Sequence, residues 1–567
     1  MVAGYLGRLT FASLVGKLGE IRGPESVRAV LRENISQDKG AKLVKPMTTI
    51  SGCACCGMNR RQFLAAGACV AGTCVAGTLT AAPVGAAEGY TKTRIRVIYS
   101  LHAPVQSQPD WPNVGFDFRP IMDRITALLN QRCAGFEFLA CMANGPEVAK
   151  KVVEQDKSSS IDGYLVYQMN CWNQVVQTVA ATGKPVLYAD FQYAGSGGFL
   201  VYTASFLREK AANVGFVASS KPEDLVAAVQ CFDLVKKGGS IADFVAATGR
   251  IRKERTPAAG DLTCKADKVS ALGPKDCLAK MKQAKILAVG GGWPGIAPSI
   301  QREMGIEIVN VPYAEVNAAW EAADKDQSRA IADRWQKTAT EISGVTRATL
   351  ETCAAMYLAQ KSVLKKHGAN AITINCLGGF YGGHIHAYPC LGFHELNNEG
   401  LIGGCECDVR STATMVTMNA LTQGRPGYIS DPIIDTSARQ IVYAHCVASN
   451  RVFGPHGEAN PFHILTHSED RKGASVRSTL PLGYMTTTVE FAPERKTILF
   501  HRAKGVANVT DDRACRTKLA AEPIGDIEKL FTEWDAWGWH RVTTYGDLKE
   551  PIFALAEAMK WKVIEEA

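Results

Sequence analysis

The sequence predicts an α/β protein with two doubly wound parallel-sheet lobes and a C-terminal mixed domain that contains a β-barrel. Short apolar strands alternate with amphipathic helices up to about residue 366, which is typical of parallel sheets covered by helices on both faces. After Ala369 the pattern changes to strands separated by Gly and Pro turns. The chain has 567 residues, of which 46% are hydrophobic and 21% charged, so it has the composition and length of several folded domains.

The N-terminal region has the features of an export signal. Residues 58–87 contain Arg60 and Arg61 ahead of a weakly apolar, Gly- and Ala-rich run, and they resemble a twin-arginine signal. The run contains Pro83 and little Leu or Ile, so it does not predict a membrane span. We expect an exported, periplasmic protein with no stable membrane span after signal removal. Residues 1–57 have no role in this scheme and are expected to be a disordered or spurious extension.

Two lobes are expected between the signal and residue 369. The first, residues 92–205, has predicted strands at 95–99, 136–139, 163–167 and 185–188. The second, residues 206–369, has predicted strands at 214–217, 285–289 and 306–310 and helices at 222–236 and 313–366. Two such lobes form a cleft, which is a common place for ligands.

The third predicted domain, residues 370–567, is expected to contain the chemistry. Its clearest element is an antiparallel hairpin with strands at 486–491 and 497–501. Ten of the eleven histidines follow residue 366, and imidazole is both a common metal ligand and an acid or base near neutral pH.

Charge and cysteine usage limit the possible partners. Ten Lys or Arg against four Asp or Glu precede residue 88, and the following 480 residues carry 53 basic and 51 acidic side chains. This balance lacks the excess of basic residues that is typical of proteins that bind nucleic acid. The cysteines after residue 87 are scattered, and most are expected to be buried thiols. Cys264 and Cys277 flank a polar loop and are the only pair considered for bridging, which the sequence leaves open.

The segment Cys405-Glu406-Cys407-Asp408 is the sharpest chemical signal. Residues 401–408 are interpreted as a strand, so Glu406 and Asp408 are expected to face the same side. Neighbouring carboxylates repel and stay in a pocket only when a cation or a shared proton compensates. The alternative is a solvated strand end without a function.

Residues 370–547 resemble the L-fucose isomerase/L-arabinose isomerase superfamily. The similarity is carried by Glu406 and Asp408, by the preceding Pro389-Cys390 and Leu396-Asn397-Asn398-Glu399-Gly400, by Tyr443-Ala444-His445-Cys446, and by His540 followed by Tyr545-Gly546-Asp547. The resemblance implies a metal-dependent aldose–ketose isomerase with two α/β lobes and a C-terminal barrel domain. It also implies a divalent ion, most often Mn²⁺, and a homo-oligomer whose sites are shared between subunits.

The resemblance also implies roles for individual residues. Asp408 and His540 match metal ligands, and Glu406 with Asp408 would be catalytic. His384, His386 and His445 are expected to contact the sugar substrate. A divalent ion bound by carboxylate and imidazole can chelate the carbonyl and adjacent hydroxyl of a sugar, and a carboxylate can then move the proton through an ene-diol.

One departure from the family pattern keeps a second function open. The family has a further metal-binding, base-acting glutamate after the strand that here ends at Ile374-Asn375-Cys376, whereas this chain continues with a Gly-rich segment and no acid. His384 or His386 substitutes, or Glu406 takes over, or the isomerase chemistry is lost; His384 and His386 could also lie on a flexible loop without a ligand role. The alternative function is a non-catalytic periplasmic carbohydrate-binding protein. No motif identifies the sugar.

Overall fold

A computed structural model describes residues 92–291, 295–534 and 536–567. The predicted extension (1–57) and export signal (58–87) lie outside the described residues. None of the described helices is long and apolar enough to cross a membrane.

The first lobe is built on a five-stranded parallel sheet. Its elements are β1 (Thr93–Ser100), α1 (Arg119–Arg132), β2 (Phe136–Ala143), α2 (Pro146–Asp156), β3 (Gly163–Gln168), α3 (Val175–Ala180), β4 (Val186–Asp190), α4 (Ser196–Arg208), β5 (Val214–Val217), α5 (Pro222–Gln230), α6 (Phe232–Lys236) and α7 (Ile241–Arg255). The strand order is β2-β1-β3-β4-β5. Val97 and Tyr99 of β1 pack into one apolar cluster and Ile98 into another, so the sheet is covered on both faces.

The strand at 214–217 belongs to this first sheet. It was expected in the second lobe, but β5 pairs in parallel with β4, with Val186 opposite Val214. Its four residues are all buried. A short apolar run indicates burial but does not report which sheet the strand joins, and this pairing was therefore not visible in the sequence.

The second parallel sheet has four strands, in the order 402–404, 371–374, 285–289 and 307–311. The elements of this part are α8 (Pro274–Met281), β6 (Lys285–Val289), α9 (Ala297–Met304), β7 (Glu307–Val311), α10 (Tyr313–Glu321), α11 (Lys325–Thr338), β8 (Glu341–Ser343), α12 (Arg347–His367), β9 (Ala371–Ile374), α13 (Cys376–Tyr381), α14 (Cys390–Asn398), β10 (Ile402–Gly404) and α15 (Val409–Leu421). Strands β9 and β10 come from the segment predicted as the C-terminal domain, yet they complete the sheet that β6 begins. The turn that follows β10 therefore lies at the carboxyl edge of a parallel sheet.

The C-terminal part contains a closed, six-stranded antiparallel barrel. Its remaining elements are β11 (Tyr428–Asp435), β12 (Gln440–His445), β13 (Phe462–Leu465), β14 (Ser475–Ser478), β15 (Met485–Ala492), a 3-10 turn (Pro493–Arg495), β16 (Thr497–Asn508), β17 (Thr517–Pro523), a second 3-10 turn (Ile527–Phe531), β18 (Arg541–Tyr545), α16 (Lys549–Met559) and β19 (Lys562–Glu565). The barrel order is β15-β18-β11-β12-β17-β16, and pairing of β16 with β15 closes it. The predicted hairpin and the predicted fold class are both confirmed.

A buried ion pair ties the end of the chain to the barrel. The Arg541 guanidinium donates to the Glu566 carboxylate at 2.7 Å, and His501 Nδ1 lies 3.1 Å from the same carboxylate. Burial alone would raise the pKa of Glu566, but the charge of Arg541 and the hydrogen bond with His501 lower that pKa to about 2.

We expect Glu566→Gln to lower the free energy of unfolding by about 3–5 kcal/mol, because it leaves the Arg541 charge buried without its partner. The folded-state pKa of Glu566 is depressed, so its stabilising contribution is present above the unfolded value near pH 4 and is lost as the pH falls towards 2. Urea unfolding of both proteins between pH 3 and 7 measures this difference. Glu557→Gln, at an exposed position of α16, is the matched control and should leave the unfolding free energy nearly unchanged.

Candidate functional site

Five ionisable side chains meet where the second parallel sheet faces the barrel. We call Glu406, Asp408, Asp431, His445 and His540 the buried polar site. Asp431, His445 and His540 are almost fully buried, and the side chains of Glu406 and Asp408 are 12% and 16% exposed.

The barrel register places three of these residues side by side. Strand β11 pairs with both β12 and β18, with Asp431 opposite Ala444 and Ser430 opposite Arg541. Extending the second register by one residue puts His540 opposite Asp431, and His445 follows Ala444 at the end of β12. One ligand atom from each of Asp431, His445 and His540 lies within 4.8 Å of the other two.

Glu406 and Asp408 reach the site from a turn. The predicted strand at 401–408 is wrong in its second half, because β10 ends at Gly404 and α15 begins at Val409. Glu406 and Cys407 have φ values of +60° and +52°, a left-handed conformation that is costly for residues with a side chain. Such conformations persist where the surrounding structure enforces them, often at functional sites.

Asp408 caps a helix and also holds a histidine. Its Oδ1 accepts hydrogen bonds of 3.0 Å from the backbone N–H groups of Arg410 and Ser411 at the start of α15. Its Oδ2 contacts Nδ1 of His540 at 3.0 Å and accepts from the Ser411 hydroxyl. Burial opposes ionisation of Asp408, but the contact with His540 and the backbone donors lower its pKa to about 2.

The second ring nitrogen of His540 faces the centre of the site. Its Nε2 lies 3.1 Å from Asp431 Oδ1 and 3.5 Å from Glu406 Oε2, outside hydrogen-bonding geometry in both cases. Burial alone would lower the pKa of His540, but Glu406, Asp408 and Asp431 raise it well above its usual value. Asp431 is held in turn by Trp539, whose Nε1 donates at 2.5 Å.

His445 and Glu406 complete the centre. Both ring nitrogens of His445 are buried without a hydrogen-bond partner among the described residues, and burial lowers its pKa. Its Nε2 lies 3.9 Å from Glu406 Oε1. Burial and the nearby charge of Asp431 raise the pKa of Glu406 to about 8, against the opposing charge of His540.

These side chains fit a divalent metal ion. Four buried atoms of this site lack a hydrogen-bond partner among the described residues: His445 Nδ1 and Nε2, His540 Nε2 and Glu406 Oε2. Unpartnered buried polar atoms are costly, and imidazole nitrogens with carboxylate oxygens are the donors that first-row divalent ions take. Glu406, His445 and Cys405 form a second group with ligand atoms this close.

The predicted metal pair, Asp408 and His540, is in contact. Asp431 also belongs to the group of possible metal ligands. It was not expected from the sequence, although its strand directly precedes the strand of His445 in the chain. The Asp408 oxygens already accept from the helix start, Ser411 and His540, an arrangement typical of a carboxylate that orients a ligating histidine. Ligation by Asp408 itself stays a prediction.

Glu469 is a further carboxyl group that, like Asp431, was not expected from the sequence. It accepts a hydrogen bond of 2.6 Å from the Tyr381 hydroxyl. Burial raises the pKa of Glu469 to about 8, with further contributions from the charges of Asp110 and Glu406. The hydroxyl of the preceding residue, Ser468, lies 3.6 Å from the sulfur of Cys446, the residue after His445, which brings this segment next to the end of β12. The run His467-Ser468-Glu469-Asp470 is the only sequence signal for it.

The two predicted substrate-binding histidines of the Gly-rich segment lie elsewhere. His384 and His386 are exposed after α13, which forms where a flexible loop was one interpretation. The ring of His384 stacks on Tyr313 of α10, and the ring of His386 lies edge-on to Trp320. The described contacts of both rings are with residues of α10, and their substrate role stays a prediction.

The described cysteines are all free thiols. Cys264 and Cys277, considered for bridging, are both unbridged, with Cys277 fully buried. A closer pair lies beside the buried polar site, where the sulfur atoms of Cys376 and Cys405 are 3.3 Å apart. Most of these thiols are buried, as expected from the sequence.

Part of the chain is similar to known sugar isomerases. No protein-family model matches the chain. It is 24% identical over 207 residues to the sulfoquinovose isomerase of Priestia aryabhattai, covering 35% of this chain and 45% of that protein. It is 23% identical over 223 residues to that of Alkalicoccus urumqiensis, covering 38% and 49%. The chain thus spans about half the length of these curated relatives and is similar to sugar isomerases over part of its own length.

Solved structures show only remote similarity. A sugar ABC transporter protein from Yersinia enterocolitica is 13% identical with a TM-score of 0.16, covering 52% of this chain and 69% of that one. A periplasmic solute-binding protein from Actinobacillus succinogenes with bound D-allose is 11% identical with a TM-score of 0.16, covering 59% and 91%.

Replacing Asp408 separates its two roles. Asp408→Ala should lower the free energy of unfolding by about 1 kcal/mol more than Asp408→Asn, because asparagine also caps helices. Both variants should lower the pKa of His540, since each removes the carboxylate beside Nδ1. Urea unfolding and NMR titration of the ring measure the two effects. Asp324→Ala, which removes the cap of α11 at Gln327, is the control and should affect stability alone.

Proposed function

We propose that this protein is a metal-dependent aldose–ketose isomerase acting on a monosaccharide. The observation that carries the proposal is the group of unpartnered imidazole and carboxylate atoms in the buried polar site. The partial similarity to sulfoquinovose isomerases supports the same chemistry.

His445, His540 and Asp431 would hold the ion, with Mn²⁺ the most suitable given the resemblance. The fit rests on their atoms lying within 4.8 Å of one another. It also rests on the absence of competing hydrogen bonds to either nitrogen of His445 and to Nε2 of His540 in the described part of the chain. Asp408 orients His540 by holding Nδ1, which leaves Nε2 for the ion. A bound divalent ion supplies Lewis-acid polarisation of the sugar carbonyl and its neighbouring hydroxyl.

The proton transfers are assigned to this chain's carboxyl groups. Isomerisation of an aldose moves a proton from C2 to C1 and a second proton between the two oxygens. Glu406 carries the carbon-bound proton, because its carboxylate faces the same centre as His445 and His540. Glu469, hydrogen-bonded to Tyr381, carries the oxygen-bound proton. Glu469 thereby supplies the second carboxyl group that the missing family glutamate would provide.

The reaction predicts solvent exchange. With Mn²⁺ in D₂O, the protein should convert an aldose to its ketose and incorporate deuterium at carbon, because the proton on Glu406 exchanges with solvent before it returns. Sulfoquinovose, L-fucose and L-arabinose are the sugars to test, with NMR as the readout. Glu406→Gln should reduce turnover by about 10²- to 10⁴-fold, the usual contribution of a general base.

Glu458→Gln is the matched control, since Glu458 is exposed and outside the buried polar site, and it should leave the rate unchanged. Binding of these sugars without turnover or deuterium uptake would contradict the isomerase proposal and favour the carbohydrate-binding alternative.

Metal content tests the proposed ligands. Protein purified without chelator should contain about one divalent ion per chain by elemental analysis, and EDTA should remove it. His445→Ala and Asp431→Asn should each reduce Mn²⁺ affinity at least about tenfold through loss of a ligand. Asp408→Asn should reduce it by about 10- to 100-fold if Asp408 only orients His540.

Unchanged Mn²⁺ binding in His445→Ala and Asp431→Asn would exclude this ligand set. Complete loss of the metal in Asp408→Asn alone would instead favour the Asp408 and His540 pair expected from the sequence. His463→Ala, on strand β13, is the control for removal of a histidine outside the site.

A further inference from the structure

A second polar cavity opens at the carboxyl ends of β4 and β5 in the first lobe. We call it the lobe-1 cavity; its volume is about 200 Å³, and it shares no residue with the buried polar site. It is lined by Asp190 at the end of β4, by residues 191–193 after that strand, by Tyr167 on β3, by residues 219–222 after β5, and by Arg513 from the barrel part. The carboxyl edge of a parallel sheet is where α/β proteins commonly bind ligands.

Two residues that line this cavity each carry a buried oxygen atom without a hydrogen-bond donor among the described residues. Asp190 and Gln192 are 5% and 6% exposed. One Asp190 oxygen accepts from the Ser196 hydroxyl at 2.7 Å, and Gln192 Nε2 donates to the carbonyl of Ile434 at 3.0 Å. The remaining oxygens, Asp190 Oδ1 and Gln192 Oε1, have no donor among the described residues. Buried acceptors of this kind are usually satisfied by a ligand or by ordered water.

Aromatic rings and a fixed cation form the walls. The rings of Tyr167 and Phe191 lie 6.1 Å apart, and the Arg513 guanidinium lies 4.7 Å from the Phe191 ring and 5.6 Å from that of Tyr193. Two hydrogen bonds to Asp511 hold this guanidinium in place. The exposed cations Arg124 and Lys221 also line the cavity.

The charges select the class of ligand. A cationic amine would be repelled by Arg124, Lys221 and Arg513. An anionic group would be repelled by the two oxygen atoms, because it has no hydrogen to donate to them. A hydroxyl group is both a donor and an acceptor, so hydroxyls can donate to Asp190 and Gln192 while accepting from Arg513. A volume of about 200 Å³ is that of about seven water molecules, which suits one sugar ring whose C–H faces rest on the aromatic walls.

We propose that the lobe-1 cavity binds a neutral monosaccharide at a site separate from the buried polar site. Burial raises the pKa of Asp190 to about 7, in agreement with a carboxyl group of which one oxygen has no hydrogen-bond donor among the described residues. The site does not depend on the proposed isomerase chemistry, because its residues belong to a different cavity.

Calorimetric titration of the full chain with D-glucose, D-galactose and L-fucose tests the site, with D-glucosamine and D-glucuronate as charged comparators. At least one neutral sugar should bind, and more tightly than both charged ones. Asp190→Asn and Gln192→Leu should each weaken that binding by about tenfold, the effect of losing one hydrogen bond to a buried polar group. Asp276→Asn, at an exposed position of α8, should not change it.

Hydrogen exchange on the unmodified chain provides a measurement that needs no variant. Addition of the sugar should protect residues 190–193 and 219–222. Protection confined to residues 406–445, equal binding by both folded variants, or no binding of any neutral sugar would overturn the proposal. Loss of isomerase turnover in Glu406→Gln with retained protection at 190–193 would support it independently of the proposed reaction.

Discussion

The contact between Asp408 and His540 is the interaction on which the buried polar site depends. One Asp408 oxygen is occupied by the first backbone N–H groups of α15, and the other holds Nδ1 of His540 at 3.0 Å. A helix start therefore sets the orientation of a ring that belongs to the barrel. Because Nδ1 is occupied, Nε2 is the nitrogen that faces Asp431 and Glu406.

The site exists because two different sheets end at the same place. The parallel sheet brings the turn after β10, and the barrel brings Asp431, His445 and His540 through the pairing of β11 with its two neighbours. The left-handed backbone at Glu406 and Cys407 allows the change from strand to helix within four residues. Burying five ionisable groups in this way opposes stability, which is typical of a site retained for function.

The two candidate sites solve different binding problems. At the buried polar site the unpartnered atoms include two imidazole rings beside carboxylates, which suits a cation. In the lobe-1 cavity the unpartnered atoms are oxygens under a fixed guanidinium and aromatic rings, which suits hydroxyl groups. In each site these atoms have no hydrogen-bond partner among the described residues. The chemical type of the atoms therefore indicates which class of ligand each site would bind.

The sequence by itself determined the fold class, the hairpin at β15 and β16, and the grouping of Glu406, Asp408, His445 and His540. Periodicity reports burial and spacing reports local pairing, so the fold class and the hairpin were accessible from the residues, whereas the grouping of the four site residues was implied by the family resemblance. Only the tertiary structure decided that β5 joins the first sheet, that β9 and β10 join the second, and that Asp431 lies near His540 whereas His384 and His386 pack on α10. These outcomes depend on pairing and packing between residues far apart in the chain, and local patterns of polarity do not encode which distant strand becomes the neighbour.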